Sequence, residues 1–179
     1  MSTNPPAGSS RGRVLLFTGD GKGKTTAALG MGLRAFGHGR KVCVIQFIKS
    51  REDTGEVKAA EQLGGRFEVL PMGRGFVVKN GGTAEDRSRA ADALELARTR
   101  MHQCDVLILD EINCAVKKGL LSVSDVLSLI EARPPSLHVV LTGRDAHPDL
   151  VEVADTVTNM VKLKHAHDAG TEALPGVEY

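Results

Sequence analysis

One stretch constrains this chain more than any other. The apolar run Val14–Thr18 leads into Gly19-Asp20-Gly21-Lys22-Gly23-Lys24-Thr25-Thr26, and a helical pattern over Lys24–Phe36 follows directly. The glycines let the backbone turn its N–H groups inward as a nest for phosphate oxygens. Lys24 adds a point charge, Thr25 a hydroxyl suited to Mg²⁺, and the helix N-terminus its dipole. The general form of this loop has a glycine where Thr18 stands, so the match is incomplete. A strand, a glycine loop, Lys-Thr and a helix in that order define a βα unit, and such units build parallel sheets.

The rest of the chain repeats that alternation. Strand candidates are Val14–Thr18, Lys41–Ile48, Phe67–Leu70, Val106–Asp110, His138–Thr142 and Thr156–Leu163. Most are apolar on both faces, as strands covered by helices on each side must be. Helical patterns fall between them at Lys24–Phe36, Glu56–Leu63, Ala84–Gln103, Ser122–Ala132 and Pro148–Ala154. Ser122 is placed as an N-cap, Pro148 as a first-turn proline and Gly37 as a helix stop. The fold class is therefore α/β, a doubly wound, mostly parallel sheet of about six strands. At 179 residues the chain is long enough for one domain of the usual ~100–200 residues, and 41% hydrophobic content can core it without disulfides. We place a flexible Ser/Pro/Gly-rich tail at residues 1–12 and the domain at residues 13–179.

Composition excludes several classes. Twenty-three basic residues against 22 acidic ones give +1, which argues against a general nucleic-acid binder. No apolar stretch approaches the ~20 residues of a membrane span, and the N-terminus lacks a signal-peptide core, so a cytoplasmic protein is expected. Cys43, Cys104 and Cys114 are three in number with no CxxC pair, which fits reduced, buried thiols better than a zinc site or a disulfide framework.

In sheets of this kind ligands bind where loops leave the C-terminal strand ends. Val106–Leu109 ends there in Asp110-Glu111, and one of these carboxylates is expected to hold Mg²⁺ beside the Thr25 hydroxyl. The fifth strand ends in Thr142-Gly143-Arg144, where Arg144 could meet the phosphates of a nucleotide. Arg74–Glu85, glycine-rich and without helical pattern, reads as a long loop, and such loops inside a compact domain tend to be functional or disordered. His165-Ala166-His167-Asp168 looks at first like a metal cluster in a strand-like segment, yet no third and fourth ligand accompany it, and ordinary polar roles are expected.

Taken in order, GDGKGKTTAALG, QFIK with Gly55-Glu56 beyond it, GRGF, LDEIN, RPP with HVVLTGR, and KHAHDAG with PGVEY carry a resemblance. From Arg13 to Tyr179 the chain resembles the ATP:corrinoid adenosyltransferases of the cobalamin pathway. That resemblance implies a RecA-like fold and transfer of the 5′-deoxyadenosyl group of ATP to cobalt(I) of a reduced corrinoid, with triphosphate leaving intact. It also implies a cytoplasmic homodimer that uses Mg²⁺ and a flavoprotein reductant. Carried over by position, Gly19 to Thr25 hold the triphosphate, Thr25 and Glu111 serve Mg²⁺, and Phe76 faces the lower side of the corrin. Phosphate loops of the family also lack the first glycine, so Thr18 fits. The sequence departs from the family where aromatic residues usually stand, at Glu52, Val78, Cys114 and His167. Cobalt(I) is itself a strong nucleophile, which accounts for a phosphate cradle without an acid/base pair.

Two alternatives come from other classes. A P-loop ATPase or kinase would need a glutamate poised for water, a role open to Glu111, or an arginine-rich lid. A nucleotide- or corrinoid-binding protein without turnover would explain the missing aromatic residues.

Overall fold

A computed structural model describes residues 11–50, 53–75 and 81–178. Six strands form one sheet in the order β3-β2-β4-β5-β1-β6, with every pair parallel. The strands are β1 Val14–Thr18, β2 Val42–Gln46, β3 Phe67–Pro71, β4 Val106–Asp110, β5 His138–Thr142 and β6 Thr156–Asn159. The helices are α1 Lys24–Gly37, α2 Gly55–Leu63, α3 Ala84–Arg100, α4 Ile112–Lys117, α5 Val123–Ala132 and α6 Pro148–Val153.

Strand alternation sorts the core into two layers. Val14, Leu16, Cys43, Ile45, Leu107, Leu109, Val139 and Leu141 face α3, α4, α5 and α6. Val42, Val44, Val106, Ile108 and Val140 face α1 and α2 through Ala28, Val57 and Ala60. Helices on both faces of a parallel sheet leave the strand ends as the open edge for a ligand. The α/β, doubly wound reading therefore stands, with a sheet that is entirely rather than mostly parallel.

Several boundaries move, each for a physical reason. The expected strand Thr156–Leu163 stops at Asn159, because its partner β1 ends at Thr18: the Met160 N–H makes the last bond to that strand, and the Met160 carbonyl accepts instead from the loop N–H of Gly21 at 2.7 Å. All four β6 residues are exposed, since β6 lies at the sheet edge, so this strand is not apolar on both faces. Thr83 N-caps α3 with a reciprocal Asp86 bond, so Ala84 and Glu85 belong to that helix and not to the long loop. The stop after α1 is Gly39, at φ 76, not Gly37, which is the last helical residue. Ser122 does cap α5 through Asp125, and Pro148 does open α6. Residues 166–169 form a 3₁₀ turn rather than a strand-like segment, so strand alternation does not apply to His165 and His167. Among the described residues no three or more histidine, cysteine and acidic side chains cluster as metal ligands. Gly12, assigned to the tail, is buried and bonds the Pro135 carbonyl at 2.7 Å.

Candidate functional site

The ends of β1, β4, β5 and β2 converge on one point. Gly19, at φ 95, and Gly23, at φ 117, turn the loop in a region that disfavours side chains. Lys24, buried at the first position of α1, donates to the carbonyls of Gly19 and Gly21, both at 2.7 Å. Burial pushes its pKa below the ordinary lysine value, against the pull of Glu111. Asp20, Lys22 and Thr26 are exposed. Lys22 turns away, donating to the Val177 carbonyl at 2.7 Å and pairing with Glu178 at 3.5 Å. Thr18, standing at the missing glycine, accepts from the Ala146 N–H at 3.3 Å and so ties the loop after β5 to β1.

Asp110 is the hub. It is fully buried, and its Oδ1 accepts from Thr25 Oγ1 at 2.7 Å and from Thr142 Oγ1 at 2.8 Å. Its Oδ2 accepts from Gln46 Nε2 at 3.2 Å, with Lys49 Nζ 3.7 Å away. Register explains the meeting, since Gln46 and Asp110 are paired across β2 and β4. Glu56 at the start of α2 accepts from Lys49 at 2.7 Å and from the same Gln46 amide at 3.2 Å. Burial works to lower the Lys49 pKa, but Asp110 and Glu56 outweigh it and raise it. Burial likewise works to raise that of Glu56, and the Lys49 bond outweighs it and lowers it. Both side chains are therefore charged at neutral pH.

These groups suit a hard divalent cation. The Thr25 hydroxyl has committed its proton to Asp110, which leaves oxygen lone pairs to offer, and Asp110 is a carboxylate. Mg²⁺ prefers such oxygens, together with water and phosphate. Gln46 Oε1 is buried without a hydrogen-bond partner among the described residues, an acceptor that a metal-bound water could satisfy.

Glu111 stands differently from Asp110. It sits at φ 62, a strained value for a non-glycine residue, and its N–H bonds Thr142 Oγ1 at 2.8 Å. Its charge reaches both the Cys114 thiol and Lys24. The structure thus puts Asp110, not Glu111, against Thr25. Arg144 is exposed at the rim, close enough to lower the Lys24 pKa. Burial first, and then Glu111, pushes the Cys114 pKa up to about 12, and burial does the same for Cys43 and Cys104. All three thiols are therefore poor nucleophiles. Phe76, with Glu52 and Val78, lies outside the described residues.

Sequence reasoning gave no role to Gln46, Lys49, Glu56 and Thr142. The signal was there in part: QFIK places a glutamine and a lysine at the end of an otherwise apolar strand. Nothing local says that Glu56 returns to meet them.

Comparisons with known proteins give the family. The model of the family described as ATP:corrinoid adenosyltransferase BtuR/CobO/CobP matches residues 10–179. A corrinoid adenosyltransferase of Pseudomonas aeruginosa is 43% identical over 97% of this chain and 86% of its own length. One from Salmonella typhimurium is 39% identical, over 97% of this chain and 88% of its own. Among solved structures, the flagellar accessory protein FlaH from Methanocaldococcus jannaschii superposes with a TM-score of 0.56 at 13% identity. It covers 86% of this chain and 73% of its own, a likeness of fold alone.

Proposed function

The chain belongs to the ATP:corrinoid adenosyltransferase family, and from that premise we propose how its residues carry the reaction. It is an enzyme that adenosylates corrinoids with ATP, and neither the ATPase or kinase reading nor the non-catalytic one is favoured. The reaction is displacement at C5′ of ATP. An electron pair on cobalt(I) forms the cobalt–carbon bond, the C5′–O bond breaks, and the triphosphate leaves with the electron pair of that C5′–O bond. No proton has to move, so the work left to the protein is positioning and charge stabilisation. The Gly19–Gly23 loop cradles the triphosphate with its remaining N–H groups while that of Gly21 stays on the Met160 carbonyl, and Lys24 exchanges its two loop carbonyls for phosphate oxygens. Arg144 at the rim adds a second cation. Thr25 and Asp110 would hold Mg²⁺, with Glu111 balancing Lys24. When bound, Mg²⁺ supplies neutralisation of charge growing on the leaving triphosphate.

The observation that carries this reading is the meeting of Lys24, Thr25 and Asp110 at one edge in a chain that matches its family from residue 10 to 179. Incubation with ATP, Mg²⁺ and chemically reduced corrinoid should yield one triphosphate per light-sensitive cobalt–carbon product. ADP and phosphate as the corrinoid-dependent products would end the proposal.

Further parts of the proposal rest on the resemblance: a homodimer, a cytoplasmic location, a flavoprotein reductant, and Phe76 against the lower face of the corrin. No helix among the described residues is long and apolar enough to cross a membrane. An aromatic side chain presents ~150–250 Å² of largely apolar surface, which at ~25 cal/mol/Å² is several kcal/mol available to exclude a lower axial ligand. Phe76→Ala should therefore cut turnover strongly when the corrinoid starts as cobalt(II) with a flavoprotein reductant. Pre-reduced cobalt(I) should largely restore it. Equal impairment with both forms would mean that Phe76 positions the corrin instead.

A further inference from the structure

We infer that Lys49 makes cation binding at Asp110 conditional on the nucleotide, acting as a positioning residue that offsets local negative charge until phosphates arrive. The inference rests on the proposed placement of Mg²⁺ beside Thr25 and Asp110. Asp110 and Glu56 are held together by one shared amide: Gln46 Nε2 lies 3.2 Å from a carboxylate oxygen of each. Reversing that amide would aim its carbonyl at two anions, so its orientation follows from the charges. The two carboxylates would carry −2 in a region where Asp110 and Gln46 are fully buried, and like charges so placed repel strongly. Lys49 reduces this to −1, bonding Glu56 at 2.7 Å and standing 3.7 Å from Asp110 Oδ2.

A divalent cation arriving alone meets an ammonium beside the carboxylate that it needs. A cation arriving with a triphosphate brings its own counter-charge, and Lys49 can stay on Glu56, its closer partner. Lys49 is thus placed to disfavour the bare metal while tolerating the metal–nucleotide pair. Among the described residues its ammonium pairs with Glu56 and Asp110 and not with the phosphate loop or Thr25, which separates its role from that of Lys24.

The test is Mn²⁺ binding followed by electron paramagnetic resonance, with and without ATP, on wild type, Lys49→Met, Lys49→Arg and Asp110→Asn, each checked for its thermal midpoint. Removing a unit charge a few ångströms from the carboxylate should tighten Mn²⁺ binding to nucleotide-free Lys49→Met by at least about tenfold. With ATP present the change should be no more than a few-fold, and Lys49→Arg should behave as wild type. An unchanged nucleotide-free affinity in Lys49→Met, or the same gain with and without ATP, overturns the inference while leaving the metal placement intact. Asp110→Asn separates the two ideas. If it binds Mn²⁺ as wild type does, the placement of the metal itself is wrong, and the role of Lys49 falls with it.

Discussion

Lys24→Ala should lose adenosyl transfer by roughly 10²–10³-fold, the loss typical of deleting one charge-stabilising donor from a preorganised site. The side chain is buried, and its ammonium is held by the Gly19 and Gly21 carbonyls, both at 2.7 Å. A triphosphate has to draw the ammonium off those carbonyls. Because the contact strengthens as charge builds on the leaving group, the loss should fall on kcat as well as on ATP affinity. Lys24→Arg should not restore activity, since the larger planar guanidinium has no room at a buried position fitted to an ammonium. Single-turnover measurements with pre-reduced cobalt(I) isolate this step from reduction. A Lys24→Ala enzyme within a few-fold of wild type in that assay would remove Lys24 from the mechanism. The freed Gly19 carbonyl is part-buried and that of Gly21 buried, so the thermal midpoint of the variant is measured beside its activity.

Much of this was legible in the chain itself, and the reasons differ by residue. β1, β4 and β5 match their expected ranges residue for residue, because each is a run of three or four apolar residues closed by a polar side chain at the site. Phosphate-loop chemistry is local, and a local pattern can be read from spacing alone. α4 was missed because it follows β4 with only Glu111 between them, so the acidic pair reads as a loop. Asp110 could not be separated from Glu111 by sequence, since the choice depends on which carboxylate points at Thr25, 85 residues away. The Gln46–Lys49–Glu56 network is invisible for the same reason. Its members are ordinary polar residues until β2 and β4 come into register and α2 folds back. Support from behind the loop, by Asn159 and Met160, was hidden inside an expected strand.

That support yields a pair of glycine substitutions with opposite signs. Gly19 sits at φ 95, and a Cβ there would fall 2.3 Å from Asn159 Oδ1 and 2.4 Å from the Met160 carbonyl oxygen. Asn159 can swing aside, but the Met160 carbonyl is backbone, and its residue is tied on both sides: Met160 N–H to Thr18 and its carbonyl to Gly21 N–H at 2.7 Å. Left-handed backbone costs a residue with a Cβ ~1–2 kcal/mol, and forcing a packed neighbour to shift adds ~1–3 kcal/mol. Gly19→Ala should therefore destabilise by ~2–5 kcal/mol, lowering Tm by roughly 5–15 °C for a chain of this size. ATP binding should weaken further, because the loop would have to move away from Met160. Gly30 lies on the exposed face of α1, with ordinary φ and nothing within 4 Å of a built Cβ. Gly30→Ala should instead stabilise by ~0.5–1 kcal/mol, through helix propensity and a less flexible unfolded chain. Differential scanning calorimetry on the two variants reads both signs in one experiment. If Gly19→Ala kept the wild-type Tm, the phosphate loop would not be pinned against Met160, and its preorganisation would have to come from the bound nucleotide.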